Sequence, residues 1–69
     1  MRSIQSHDGY VYATFDCTDD SAYRLMVFNA AGDIVFKTRD NPIRTTITID
    51  NDKLYYVDSD SRSVIMVQL

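Results

Sequence analysis

The chain has 69 residues, a formal net charge of -3 and one cysteine. A chain of this length forms one domain at most, and Cys17 alone cannot close an internal disulfide. Its seven basic residues are dispersed, which excludes the cationic cluster that nucleic acid requires, and no apolar run approaches the ~18 residues of a membrane helix. The composition therefore indicates one small, folded, soluble domain.

Stability and location can be inferred from the same features. A domain this small buries only about 60% of its unfolded surface, and it has neither a disulfide nor a Cys/His zinc cluster to stabilise it. We therefore predict a homo-oligomer or a larger protein partner, with no nucleic acid, no membrane and no cofactor. The first six residues lack an apolar signal-peptide core, which together with the lone thiol favours a cytoplasmic protein.

Seven short strands are predicted along the chain. All ten acidic residues are aspartates, and they separate runs rich in β-branched and aromatic residues. Short carboxylates bond neighbouring backbone amides in turns, whereas branched and aromatic side chains suit a pleated surface. The fold class is therefore all-β, an antiparallel up-and-down meander. The predicted strands cover residues 2–7, 9–16, 22–29, 33–39, 44–50, 53–58 and 63–69.

Turn residues mark the ends of these strands. His7-Asp8-Gly9 and the segment 17–21 form the first two turn signals. The third, 29–32, has Asn29 first and Gly32 fourth, as a type I turn with a glycine bulge prefers. The fourth contains Pro42, which cannot donate to a strand ladder. The segments 50–52 and 59–62 close the last two hairpins.

The strands are of two kinds. Residues 11–13, 25–28, 54–57 and 64–67 form continuous apolar runs, which predict strands that are covered on both faces. Residues 44–49 alternate instead and place Ile47 and Ile49 on one face. The strand at 33–39 becomes polar at its end, as an edge strand should.

The first third of the chain recurs later, imperfectly. An offset of 43 residues aligns Ile4 with Ile47 and Val11-Tyr12 with Leu54-Tyr55. An offset of 40 aligns residues 25–27 with residues 65–67, so the first copy has a loop three residues longer. A period in this range is typical of stacked structural repeats that cannot bury their faces alone.

The order of alternating, buried, buried and edge strands resembles the four-stranded blade of a β-propeller. The local sequences resemble the NHL and related six-bladed families, in which an Asp-Gly turn leads into a "lyVaD"-like strand and then a "ri-v-f" strand. The matching segments are 8–13 and 23–32, followed by 52–58 and 63–67. The resemblance implies a blade-like repeat at 2–40 and an incomplete repeat at 43–69. Asp52 departs from the pattern, which has glycine there.

So short a chain must cover its two-sided strands in another way. Copies could assemble into a ring, the chain could dock on a larger protein, or it could be a fragment. Its two sheets could also pack on each other as a small sandwich, which would leave outer faces bearing Tyr and Met. The free first and last strands could also pair between subunits.

These features predict a non-enzymatic protein-interaction module. Aromatic and Met side chains anchor protein interfaces, and the predicted interface residues are Tyr10, Tyr12, Met26, Phe28, Tyr55, Tyr56 and Met66. The alternative is a small-molecule or glycan-binding protein with sites in the loops, where Arg24 and Arg62 are the candidates. Some six-bladed propellers are metal-dependent lactonases or esterases, so the resemblance also permits an enzyme. The sequence offers no glutamate and no convergent acid–base pair, so we predict no catalytic residues.

Two further motifs have simpler explanations. The Asp-rich turns, such as 50–52 and 58–60, carry hard oxygen ligands for calcium, but the bidentate glutamate of calcium loops is absent. We therefore predict turns and no metal site. Ser6-His7-Asp8 has the residue types of a hydrolase triad, yet neighbouring side chains on a strand point apart. His7 is expected to be a hairpin residue, and Cys17 a small buried one.

Overall fold

The computed structural model describes residues 3–15 and 23–69, which fold into two antiparallel sheets. The predicted turn at 17–21 and the predicted role of Cys17 lie outside the described residues. The all-β fold class is confirmed, and the strand order follows the chain. The strands are β1 (Ser3–His7), β2 (Tyr10–Thr14), β3 (Leu25–Phe28), β4 (Ile34–Thr38), β5 (Thr48–Asp50), β6 (Lys53–Val57) and β7 (Val64–Gln68).

Sheet 1 contains β1 to β4 in sequence order. Its first hairpin turns at Asp8 and Gly9, whose φ angles are 53° and 85°, as a type I′ turn requires. The turn between β3 and β4 confirms the predicted type. Gly32 has a φ of 89° and donates its N–H to the carbonyl of Asn29, while Asn29 Oδ1 accepts two further backbone N–H groups.

Sheet 2 contains β5 to β7, again in sequence order. Its first hairpin turns at Asn51, which has a φ of 56°, and Asp52. Asparagine tolerates this left-handed conformation better than most residues. The turn between β6 and β7 likewise places Arg62 at a φ of 55°.

The predicted strand at 44–50 is wrong in its first half. Residues Arg44–Thr46 form a single 3-10 turn, and β5 begins only at Thr48. The Thr46 hydroxyl explains the difference, because it donates to the carbonyl of Ile43 at 2.6 Å and accepts the N–H of Val57 at 3.1 Å. The Thr46 hydroxyl thus accepts the N–H of a β6 residue that a backbone carbonyl would accept if the strand continued.

The segment between the sheets is held against the end of β6. Pro42 forms an isolated bridge with Asp58, and the flanking backbone bonds join Ile43 to Val57 and Asn41 to Ser59. Asp58 Oδ1 accepts the N–H of Asn41 at 3.0 Å. The proline therefore lies where its missing N–H costs no ladder bond.

The core lies between the two sheets, as in the sandwich arrangement that the sequence permits. Sheet 1 contributes the inward side chains of β2 and β3, and sheet 2 contributes those of β5 and β6 together with Ile47. Ile47 and Ile49 are both buried, which confirms that they share a face. The buried cluster consists of Tyr12, Leu25, Val27, Ile47, Ile49, Leu54 and Tyr56.

Among residues 3–15 and 23–69, the apolar strands other than β2 are covered more fully on one face than on the other. On β7, Val64 is 73% exposed and Met66 57% exposed, whereas Ile65 and Val67 pack against the core. On β3, Leu25 and Val27 are fully buried while Met26 and Phe28 are half-buried on the other side. Within the described residues, β7 therefore lacks the predicted cover on its second face, and β3 has it only in part.

The ladders also correct the alignment of the two copies. Gln5 pairs with Tyr12 and Thr48 pairs with Tyr55, which agrees with the offset of 43. Tyr12 also pairs with Val27, and Tyr55 pairs with Met66, so the third strands correspond at an offset of 39 and not 40. The loop of the first copy is thus four residues longer, one more than the sequence alignment indicates.

Candidate protein-association surfaces

The outer surface of sheet 1 is largely apolar. Residues that pair across an antiparallel ladder point to the same side of the sheet, and the core fixes which side is inner. Ile4 is 57% exposed there and Ala13 is buried, although Ala13 does not belong to the core cluster. We call this surface face 1. Its apolar residues are Ile4, Val11, Ala13, Met26, Phe28 and Ile34, and Ser6 and Lys37 are the polar residues on the same side.

The outer surface of sheet 2 is apolar along its centre and polar at one end. Tyr55 and Val57 are half-buried, and Val64 and Met66 are the most exposed apolar residues on it. The polar end is the row that pairs Lys53 with Asp50 and Gln68. We call this surface face 2. Its central residues are Thr48, Tyr55, Val57, Val64 and Met66.

Equivalent residues of the two copies face opposite ways relative to the core. Tyr12 lies in the core, whereas its equivalent Tyr55 lies on face 2. Conversely, Leu54 is fully buried in the core, whereas its equivalent Val11 lies on face 1. The inner side of sheet 2, which packs on sheet 1, is therefore equivalent to face 1. Face 2, the outer side of sheet 2, is equivalent to the inner side of sheet 1.

The third aligned pair shows the same inversion. Ile47 is 7% exposed within the core, and its equivalent Ile4 is 57% exposed on face 1. Two copies that faced each other through the same side would bury both members of each pair. The two sheets thus pack head to tail, as heterologous neighbours do.

A polar contact joins the two equivalent hairpin turns. The backbone N–H of Asn51 donates to Asp8 Oδ2 at 3.0 Å, and both residues are left-handed. His7 Nε2 lies 3.4 Å from the same carboxylate oxygen of Asp8. All three residues are exposed, so His7 is a hairpin residue beside an exposed carboxylate.

The predicted interface residues divide between the core and the two faces. Tyr12 and Tyr56 are buried in the core, and Tyr10 packs against it from the inner side of sheet 1. These three residues stabilise the packing between the sheets. The other four lie on the outer surfaces, Met26 and Phe28 on face 1, and Tyr55 and Met66 on face 2.

Sequence reasoning missed several residues of these surfaces. Ile4, Val11 and Val64 were not among the predicted contacts, although Val64 is the most exposed of the large apolar residues on face 2. The repeat itself contained the signal, because it aligned Ile4 and Val11 with core residues. Which copy faces outward depends on the packing between the sheets.

A cleft opens between the sheets at the end opposite the two hairpin turns. Its volume is about 250 Å³, and arginine and uncharged polar side chains line it. The predicted ligand residue Arg24 lines it together with Arg44, whereas Arg62 lies outside it on the turn after β6. The lining residues are Thr14, Phe15, Arg24, Asn41, Pro42, Arg44 and Ser59.

Two ionisable groups hold the connecting segment in place. The Tyr56 hydroxyl donates to Asp40 Oδ2 at 2.9 Å, and burial together with this bond raises the pKa of Tyr56 to about 12. Asp58 is buried, and its carboxylate accepts the side-chain hydroxyl and the backbone N–H of Ser61 at 2.8 and 3.1 Å. Hydrogen bonds from Ser61 and Asn41 therefore lower the pKa of Asp58.

These hydrogen bonds give the Asp58 carboxylate, at the turn that follows β6, a structural role. Both oxygens of Asp58 accept hydrogen bonds within the turn and the connecting segment. Across residues 3–15 and 23–69, no group of three or more His, Cys, Asp or Glu side chains is arranged to hold a metal ion. Within the same residues, no helix is long and apolar enough to cross a membrane.

No protein-family model matches the chain, and comparisons with curated proteins and with solved structures return no significant match.

Proposed function

We propose that this protein is a non-enzymatic association module that binds other copies of itself through face 1 and face 2. The observation that carries the proposal is the inverted burial of equivalent residues. Each outer face repeats one side of the interface that already joins the two sheets within the chain. This repetition supports the binding of each face by another copy of the chain.

The energetics favour burial of these faces. Burying a Val or Met side chain fully contributes about 1.5–3 kcal/mol, and face 2 exposes Val64 and Met66 while face 1 exposes Ile4. A domain of this size has a stability of only about 3–10 kcal/mol on its own. Covering either face in an oligomer would add a substantial fraction of that value.

The NHL-like sequence pattern is consistent with this proposal. In a propeller, sheets of this kind stack so that each is covered by its neighbours. The resemblance supports assembly from blade-like units, with the repeats bounded at 2–40 and 43–69. A cytoplasmic location is part of the same proposal and comes from the sequence alone.

Sedimentation equilibrium over a concentration series tests the proposal. We expect the average mass to rise above the monomer value of 7.9 kDa as the protein concentration increases from micromolar to millimolar. A mass that stays at 7.9 kDa throughout this range contradicts self-association.

The second candidate function is binding of a small anionic ligand in the cleft between the sheets. Two guanidinium-bearing residues, Arg24 and Arg44, line this cleft, and Asn41 and Ser59 add polar groups to it. Guanidinium groups bind carboxylates and phosphates well. A thermal-shift screen with inorganic phosphate and a panel of phosphorylated and carboxylated sugars tests this candidate. A rise in melting temperature that Arg44→Ala abolishes would support it, and no shift with any compound would refute it.

A further inference from the structure

The direction of the packing within the chain specifies how copies would meet. We infer that face 2 of one molecule packs on face 1 of the next, head to tail, with a second copy of this chain as the occupant of each face. This inference rests on the proposed function and specifies its geometry. It excludes pairing of face 1 with face 1 or of face 2 with face 2.

The contact between the sheets serves as the template. Tyr12 and Val27, on the inner side of sheet 1, are covered by sheet 2, and their ladder equivalents on face 2 are Tyr55 and Met66. Face 2 therefore has an aromatic and a long apolar side chain where the inner side of sheet 1 has Tyr and Val. Its complement is a surface like the inner side of sheet 2.

Face 1 provides such a surface. The inner side of sheet 2 presents Ile47 and Leu54, and the equivalents of these residues on face 1 are Ile4 and Val11. Branched apolar residues thus recur at these two ladder positions, whereas Ser6 and Ala13 on face 1 stand where sheet 2 has Ile49 and Tyr56. A second molecule could place its face 1 on face 2 as sheet 2 is placed on sheet 1.

The turn contact has the same direction. Within the chain, the turn of the second copy donates a backbone N–H to the side chain of the equivalent residue in the first copy, Asn51 to Asp8. In a head-to-tail assembly the next donor is the backbone N–H of Asp8 from the following molecule. The acceptor is Asn51 Oδ1, an oxygen at the equivalent side-chain position.

After each molecule is added through a heterologous contact of this kind, the assembly still has one free face 1 and one free face 2. It therefore forms a ring if the rotation between units closes, and a longer chain of molecules if it does not. An isologous contact, by contrast, stops at a dimer for each face that it uses.

Two complementary variants test this direction. Ile4→Glu places a carboxylate on face 1, and Met66→Glu places one on face 2, at positions that are each 57% exposed in the single chain. A desolvated, unpaired carboxylate is strongly unfavourable in an apolar contact, so each substitution should block its own face and weaken that contact by about tenfold or more. Ala30→Glu, at the exposed turn between β3 and β4, is the control of equal charge.

Sedimentation velocity should give a distinctive result. Each variant alone should be monomeric at concentrations where the wild type and Ala30→Glu associate. An equimolar mixture of Ile4→Glu and Met66→Glu should form a one-to-one dimer and nothing larger, because one intact face 1 and one intact face 2 remain. Circular dichroism of each variant establishes that it is folded, and Ile34→Glu with Val64→Glu forms a second pair on the same two faces.

The other outcomes separate the two proposals. If either single variant self-associates as the wild type does, or if the mixtures of both pairs stay monomeric, the head-to-tail direction is wrong while self-association stands. If the wild type is itself monomeric at every concentration, the proposed function fails.

Discussion

The backbone N–H of Asn51 lies 3.0 Å from Asp8 Oδ2, and these two residues occupy the same position in the two copies of the repeat. Both have a left-handed backbone at the first position of a two-residue hairpin turn. The contact therefore joins unlike groups, an amide from one copy and a carboxylate from the other. It shows in one hydrogen bond the head-to-tail relation that the buried side chains show across the whole interface.

Removing the acceptor of this bond should weaken the contact between the two turns. Asp8→Gly keeps the left-handed backbone available but deletes the carboxylate, so we expect the free energy of unfolding to fall by about 1 kcal/mol. Asp8→Asn retains both a side-chain oxygen and tolerance of the backbone, and it should change stability by less than about 0.5 kcal/mol. Urea denaturation of dilute protein measures both variants. Equal stability of the two would show that the bond contributes nothing.

Equivalent residues on opposite sides of a sheet should respond differently to truncation. Leu54→Ala leaves a cavity in the core and should cost about 2–5 kcal/mol of folding free energy. Val11→Ala, at the equivalent position on face 1, should cost about 1 kcal/mol or less in the monomer, because its neighbours cover it only partly.

Association should show a further effect for Val11→Ala. This variant should remain folded but associate more weakly than the wild type. Thermal denaturation at low concentration and sedimentation at high concentration separate the two effects. A loss of stability at Val11 as large as that at Leu54 would contradict the assignment of the two residues to different environments.

The hydroxyl of Tyr56 should make stability depend on alkaline pH. The pKa of Tyr56 is raised from 10.0 to about 12, so the neutral form is favoured in the folded state. Its stabilising effect is fully present below pH 10 and is lost as the pH rises through 12. Tyr56→Phe should cost about 1.5 kcal/mol at neutral pH and should remove this part of the alkaline loss.

Tyr55→Phe is the matched control, because Tyr55 is the neighbouring tyrosine and lies half-buried on face 2. In dilute protein it should preserve both the stability at neutral pH and the alkaline loss. Denaturant titrations at a series of pH values from 7 to 11 compare the three proteins. An unchanged alkaline profile in Tyr56→Phe would be the contrary result.

The carboxylate of Asp58 should make stability depend on acid. Hydrogen bonds from Ser61 lower the pKa of Asp58 from its ordinary value of 3.8, so the ionised form is favoured in the folded state. Its contribution is present above pH 3.8 and is lost as the pH falls through the lower folded value.

Asp58→Asn should therefore be less stable than the wild type at pH 7, and the difference should shrink as the pH falls below 3.8. Asp60→Asn makes the same change of charge at an exposed residue of the same turn and should leave stability at pH 7 nearly unchanged. Thermal denaturation across this pH range measures both. A difference for Asp58→Asn that is constant with pH would rule out the carboxylate as its cause.

The sequence was sufficient to predict the strand pattern, most turns and the shared face of Ile47 and Ile49, because these depend on local chemistry and side-chain period. It could not predict the 3-10 turn at 44–46, which depends on a tertiary bond between Thr46 and Val57. The alignment of the third strands was wrong by one residue, because an apolar run has no feature that fixes its register. Only the ladder between Tyr55 and Met66 specifies it.

The surfaces were partly predictable. The need for a second cover follows from apolar runs in a short chain, and Met26 and Met66 do lie on the outer faces. The sequence could not separate Tyr12 from Tyr55, since the two occupy equivalent positions in nearly identical strands. Their environments differ because the two sheets pack together through sides that are not equivalent in the repeat. Tyr12 lies on the side of sheet 1 that sheet 2 covers, whereas Tyr55 lies on the side of sheet 2 that faces away from sheet 1.

Methionine methyl NMR examines both surfaces directly, because Met26 lies on face 1 and Met66 on face 2. In protein labelled with carbon-13 at the methionine methyl groups, we expect the signals of Met26 and Met66 to shift or broaden as the protein concentration rises. Both signals should return to their original positions and widths on dilution. If both signals stay unchanged from micromolar to millimolar protein, neither face is covered by another molecule, and association through these surfaces is refuted.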